Sequence, residues 1–117
     1  MTPEIIIEKW QAQLFGDPKI REHFSGTIGF EITGSPGGRW IYSPPSGTLE
    51  RTSSGHSADC LISLGSEVFT SIVLGELSPQ IAYLTGKLRV KGDVQIALQA
   101  YRFFELLKPE AVQSEIS

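Results

Sequence analysis

Apolar residues recur along this chain in two rhythms, one of three to four residues and one of two. Ile6, Trp10 and Leu14 repeat at helical spacing, which predicts an amphipathic helix over Pro3 to Phe15. Thr2 suits its N-cap, Pro3 its first position and Glu4 its first turn. Gly16-Asp17-Pro18 interrupts the pattern, and Asp17 and Pro18 can start one or two further turns through Phe24. From Thr27 to Thr33 the rhythm drops to two, with Ile28, Phe30 and Ile32 on one face, as expected of a strand. Ser35-Pro36-Gly37-Gly38 reads as a hairpin turn into a second strand, Arg39 to Ser43, with Trp40 and Tyr42 on one face. Pro44-Pro45 ends it, because neither residue has an N–H to donate. Gly47 to Ser53 is more polar and predicts an edge strand, and Ala58 to Leu64 predicts a fourth strand with Cys60, Ile62 and Leu64 inward.

The second half alternates short helices with one more strand. Ser66 is the expected N-cap of a helix over Glu67 to Leu74, which Gly75 terminates. Ser78-Pro79 starts another, ending by Gly86. Lys87 to Lys91 alternates cleanly, Leu88 and Val90 to one side and Lys87, Arg89 and Lys91 to the other. Asp93 caps a last helix, Val94 to Leu107, followed by Pro109. Ala97, Ala100, Tyr101, Phe104 and Leu107 form its inner stripe, and Ile96 and Phe103 widen it beyond half the helix surface. Residues 110–117 show no clear pattern. The order of helix, antiparallel strands, two short helices, strand and helix points to an α+β domain, one sheet with helices on one face.

Composition changes this picture little. The 117 residues, 40% hydrophobic and 20% charged, suit one ordinary core, and a single domain over residues 1–117 is expected. Thirteen acidic against ten basic residues give a net charge of −3, which argues against nucleic acid as a partner. The lone Cys60 excludes an intramolecular disulfide and any multi-thiolate zinc site. No apolar run approaches the roughly 18 residues of a membrane span. Neither a basic signal region nor a peroxisomal C-terminal signal is present, so a cytoplasmic location is expected.

Catalytic signatures do not survive inspection. Gly86-Lys87 has Ile81 and Leu88 where a phosphate-binding loop needs Gly and Ser or Thr. His23 and His56 are far apart in polar contexts and read as solvated surface rather than ligands. Cys60 reads as a small buried hydrophobe rather than a nucleophile. Lys87, Arg89 and Lys91 read first as a solvated edge that resists aggregation, and second as a landing site for anionic headgroups or a coenzyme phosphate. No catalytic residue, metal or cofactor is expected. The apolar side chains of the two short helices suit a closed core better than a cavity, because protein interiors are normally close-packed.

Three segments carry a resemblance. Ala58-Asp59-Cys60-Leu61-Ile62-Ser63-Leu64, Gly75-Glu76-Leu77-Ser78-Pro79-Gln80-Ile81-Ala82-Tyr83 and Gly86-Lys87-Leu88-Arg89-Val90-Lys91-Gly92-Asp93 resemble, in order and spacing, the sterol carrier protein 2 family. Phe30-Glu31-Ile32, Gly37-Gly38 and Trp40 fit its first hairpin. The motif residues are architectural: they start helices, cap them or permit special backbone conformations, so they speak for the fold before any ligand.

The resemblance implies a five-stranded, mainly antiparallel sheet covered on one face by helices, with a hydrophobic tunnel between them. It implies non-enzymatic binding and transfer of fatty acid, fatty acyl-CoA, phospholipid or sterol-like lipids. It reverses the preference for a closed core and makes Phe30, Trp40, Ile62, Phe69, Ile72, Val73, Leu77, Ile81, Leu84, Phe103 and Phe104 candidate tunnel-lining residues. Gln80 and Thr85 are candidate polar contacts to a headgroup. The alternative is an accessory protein that presents an isoprenoid or other hydrophobic substrate to a partner enzyme. Expected partners are a long-chain lipid or isoprenoid, a transient membrane surface or partner enzyme, and a second copy of the chain as a homodimer.

Overall fold

A computed structural model describes residues 2–44, 46–52 and 58–106. His56, Ser53, Pro45 and the segment from Leu107 onward therefore lie outside the described residues. The chain opens with α1 (Pro3–Gly16), which buries Ile6, Ile7, Trp10 and Leu14 along one side. Its start follows local chemistry: Thr2 Oγ1 accepts from the Ile5 N–H at 3.3 Å and proline stands in the first turn. Asp17 then caps the single turn of α2 (Pro18–Arg21) by accepting from the Lys19 N–H at 3.0 Å.

Five strands follow the alternation of the sequence: β1 (Ile28–Thr33), β2 (Gly38–Ser43), β3 (Thr48–Arg51), β4 (Cys60–Gly65) and β5 (Leu88–Gly92). They form one sheet in the order β3-β2-β1-β4-β5, so the polar β3 is an edge strand as its sequence predicts. Three of the pairings are antiparallel and the central β1–β4 pair is parallel, which makes the sheet mixed. The register places Phe30 opposite Trp40 and Ile62, and Ile62 opposite Val90. One face of the sheet is therefore apolar from β2 to β5, and the helices cover it.

Between β4 and β5 run α3 (Ser66–Val73) and α4 (Pro79–Leu84), and α5 (Val94–Leu106) closes the described chain. Ser66 is the first helical residue of α3 rather than its cap. Gly65 is still paired with Thr33 in the sheet and serves as the N-cap, without a side-chain bond, because strand runs straight into helix. Ser78 caps α4 as expected, its hydroxyl accepting from the Ile81 N–H at 3.1 Å. Asp93 caps α5 by accepting from the N–H groups of Gln95 and Ile96 at 2.8 and 3.3 Å.

The interior is an aromatic cluster. Trp10 lies 5.4–5.8 Å, centroid to centroid, from Phe30, Phe69, Phe103 and Phe104. Phe103 in turn meets Phe24 at 4.5 Å and Tyr42 at 5.0 Å. These rings draw α1, α3, α5 and the sheet onto one centre, and tilted or edge-on pairs of this kind add to the burial of their large apolar area.

Candidate functional site

An apolar concavity lies where α4, α5 and the edge strand β5 meet. It is a cleft of about 360 Å³ lined by Gln80, Tyr83 and Leu84 of α4, Val90 and Gly92 of β5, and Val94, Ala97, Leu98 and Tyr101 of α5. That volume is at the small end of ligand sites. Its rim is unusually apolar for a surface. Leu84 is 80% exposed, Val94 71% and Leu98 61%, with Ile81 at 54% and Tyr83 at 50% close by on α4. Single exposed apolar residues need no explanation, but four large ones around one opening, with Ile81 beside them on α4, do.

The helices produce this rim for local reasons. The α4 helix is short, and the residue opposite its exposed side, Ala82, is its buried contact with the core. The α5 helix buries Ile96, Ala97, Ala100, Phe103 and Phe104 and leaves Val94 and Leu98 outward. Gly92 has φ +107°, and a Cβ there would fall on the Asp59 carbonyl oxygen. A glycine is required at this point for β5 to hand the chain to α5 beside the cleft.

The polar groups of the cleft are uncharged. Gln80, Tyr83 and Tyr101 make no side-chain hydrogen bond among the described residues, so all three can meet a guest. Burial holds the Tyr101 phenol above its ordinary pKa, with Tyr83 and Cys60 adding to the effect, and keeps it a protonated donor. Beneath the cleft, burial and then the Asp93 carboxylate push the Cys60 thiol up to about 11. Cys60 is fully buried and remains a neutral thiol at physiological pH, with none of the thiolate character a nucleophile needs.

The candidate tunnel residues divide into two groups. Phe30, Trp40, Ile62, Phe69, Ile72, Val73, Phe103 and Phe104 all belong to the buried core between sheet and helices, and Leu77 packs against it half-buried. Leu84 and Gln80 line the cleft, while Ile81 stands exposed on α4 outside the lining. Thr85 is at the end of α4, where its hydroxyl donates to the carbonyls of Ile81 and Ala82 at 2.8 and 3.3 Å. Tyr83, Val90, Val94, Leu98 and Tyr101 also line the cleft, although none is among the candidate tunnel residues. For Val94 and Leu98 the sequence signal is the apolar surface of the last helix beyond its inner stripe, whereas Tyr83 and Val90 carry no signal that sets them apart from core residues.

The remaining candidates for chemistry disperse. His23 is exposed, with its Nδ1 3.3 Å from Arg102 Nη1. No group of three potential metal ligands occurs among the described residues. No helix among them is long and apolar enough to cross a membrane.

A mixed five-stranded sheet with helices on one face, and an apolar cleft at its β5 edge, define a small α+β domain. The chain belongs to the SCP-2 sterol transfer family, which matches residues 7–105. Hydroxysteroid dehydrogenase-like protein 2 of Rattus norvegicus is 32% identical over 72 residues, covering 60% of this chain and 14% of that protein. Sterol carrier protein 2 of Homo sapiens is 28% identical over 78 residues, covering 63% of this chain and 14% of that protein. The chain thus corresponds to about a seventh of the length of these relatives. Among solved structures, the palmitated sterol carrier protein 2-like 2 of Aedes aegypti superposes with a TM-score of 0.74 at 24% identity, covering 89% of this chain and 95% of that one. At that identity the superposition speaks for the fold.

Proposed function

We propose that this protein binds a long-chain lipid without chemical conversion and carries it between membranes or proteins. The lipid's apolar part would occupy the cleft between α4, β5 and α5 and extend toward the aromatic interior. The observation that carries this reading is the cleft itself, apolar in its floor, ringed by exposed aliphatic side chains and furnished with unpaired neutral polar groups. Membership of the SCP-2 sterol transfer family supports it, as does the palmitate named for the Aedes aegypti protein of the same fold. Trp10 adds a further point of support. Its indole N–H is buried with no hydrogen-bond partner, so an oxygen carried in by a guest would be stabilised there.

Physical magnitudes are compatible. Burial contributes about 0.8 kcal/mol per methylene, so a sixteen-carbon chain gains roughly 12 kcal/mol gross. Association and ordering subtract several kcal/mol, and about 8 kcal/mol net corresponds to a micromolar complex. No charged contact or catalytic group is needed. Apolar contact discriminates poorly between neighbouring chain lengths, so fatty acid, fatty acyl-CoA, phospholipid and sterol-like ligands are all within the reading. The candidate core residues from Phe30 to Phe104 become lining only when a guest separates them.

Native mass spectrometry followed by lipid extraction is the direct test, with a fluorescent fatty acid titrated against the tryptophan emission of Trp10 and Trp40. A co-purifying lipid or a saturable emission change is expected. Leu84→Asp, at an exposed position, is expected to weaken fatty-acid binding by about tenfold while leaving thermal stability unchanged. A protein that neither retains nor binds any long-chain lipid would sink the reading.

A further inference from the structure

The edge strand β5 separates two unlike surfaces. On its covered side lies the apolar cleft, to which it contributes Val90 and Gly92. On its other side the alternating residues Lys87, Arg89 and Lys91 border a second, shallow concavity of about 280 Å³ on the open face of the sheet. Arg89 and Lys91 lie in the strand, which presents every second residue to one face about 7 Å apart, and Lys87 immediately precedes it. All three are exposed and none forms an ion pair among the described residues. The concavity's one carboxylate, Glu31, is already engaged by Arg39 at 2.7 Å and by the Ser63 hydroxyl at 3.3 Å. Three of the chain's ten basic residues are thus gathered, unneutralised, along one edge of a protein whose net charge is −3.

We propose that the β5 edge is a docking surface for an anionic bilayer, with Lys87, Arg89 and Lys91 on the headgroups and the exposed rim of Leu84, Val94 and Leu98 on the apolar boundary beneath them. The occupant follows from the two sides taken together. Cations alone would suit any anion, and exposed aliphatic side chains alone would suit any apolar partner. Basic residues beside a row of exposed aliphatic ones match the layered chemistry of a lipid interface, where headgroup charge and acyl chains lie a few ångströms apart. The long Lys and Arg stems can reach the headgroups while their apolar parts stay lower. Docked this way, the opening of the cleft faces the membrane directly. The docking rests on the charge and exposure of this edge and stands whether or not the cleft carries a cargo.

Flotation of the protein with phosphatidylcholine vesicles, with and without phosphatidylglycerol, tests this. Binding to the anionic vesicles only, weakened by salt, is expected. Each cation at an anionic surface contributes roughly fivefold to partitioning, so a Lys87→Gln/Arg89→Gln/Lys91→Gln variant should bind about a hundredfold more weakly. Because all three side chains are exposed, the variant should keep its circular dichroism and its melting temperature. Its affinity for a fluorescent fatty acid in the absence of vesicles should be unchanged. Equal binding to both vesicle types, or undiminished binding by a folded triple variant, would overturn the proposal. Release by inorganic phosphate at matched ionic strength would replace it with a site for a single soluble anion. A protein that floats with anionic vesicles yet binds no fatty acid would keep the docking surface and remove the lipid-carrier reading.

Discussion

Asp59 and Cys60 stand next to each other and show how differently two residues of one motif act. Asp59 Oδ2 accepts from the Thr27 N–H at 2.9 Å and from the Thr27 hydroxyl at 3.2 Å, and the Asp59 N–H donates back to Thr27 Oγ1 at 2.9 Å. This exchange locks the starts of β1 and β4 in parallel register. Asp59→Ala is expected to lower stability by about 1–2 kcal/mol in urea denaturation, since the carboxylate is exposed and water replaces part of what is lost. Cys60 acts through its burial. Its thiol titrates near 11 when folded against an ordinary value of 9.0. Its contribution is therefore complete below pH 9 and is lost as pH rises toward 11, where the unfolded chain has already released the proton. Stability measured across that window should fall more steeply for the natural protein than for Cys60→Ala, and parallel curves would remove Cys60 from the account. Both residues belong to the one segment, Ala58 to Leu64, that the sequence predicts as a strand. The inward side of Cys60 was legible from the alternation of apolar residues, whereas the Thr27 partner of Asp59 was not, because the two are 32 positions apart.

At the scale of elements, local signals decided where the chain turns from one structure to the next. Thr2, Ser78 and Asp93 cap helices as their types predict, because a cap needs only a side-chain oxygen two or three residues from a free N–H. Ser66 shows the limit of such signals: the strand before it ends only at Gly65, so the cap falls one residue earlier. The junction of β5 and α5 depends on Gly92, whose positive φ and closeness to the Asp59 carbonyl leave no room for a side chain. The same carbonyl accepts the Asp93 N–H at 2.8 Å, so the turn is tied to β4 as well. Gly92→Ala is expected to cost roughly 2–4 kcal/mol, from backbone strain and overpacking together, and to lower the melting temperature accordingly. A variant as stable as the parent would show that the junction yields.

For the whole molecule, the aromatic cluster is what joins the layers. Phe103 touches Trp10, Phe24, Phe30 and Tyr42 from four different parts of the chain. Phe103→Ala is expected to destabilise the protein by about 3–5 kcal/mol, a large share of the 5–15 kcal/mol typical of a domain, and chemical denaturation reads it directly. The sequence by itself determined the elements, their inward faces and the polar edge of the sheet. Those properties are written in periods of two and 3.6 residues and in capping residues a turn away, all of which are local. Only the tertiary structure decided that β1 and β4 run parallel, that Phe69 and Phe103 meet around Trp10, and that α4, β5 and α5 leave an apolar cleft between them. Each of these depends on contacts between segments tens of residues apart. An apolar side chain has the same pattern in sequence whether its partner is another side chain, as for Phe103, or an opening, as for Leu98. The surface that remains uncovered depends on how the layers meet.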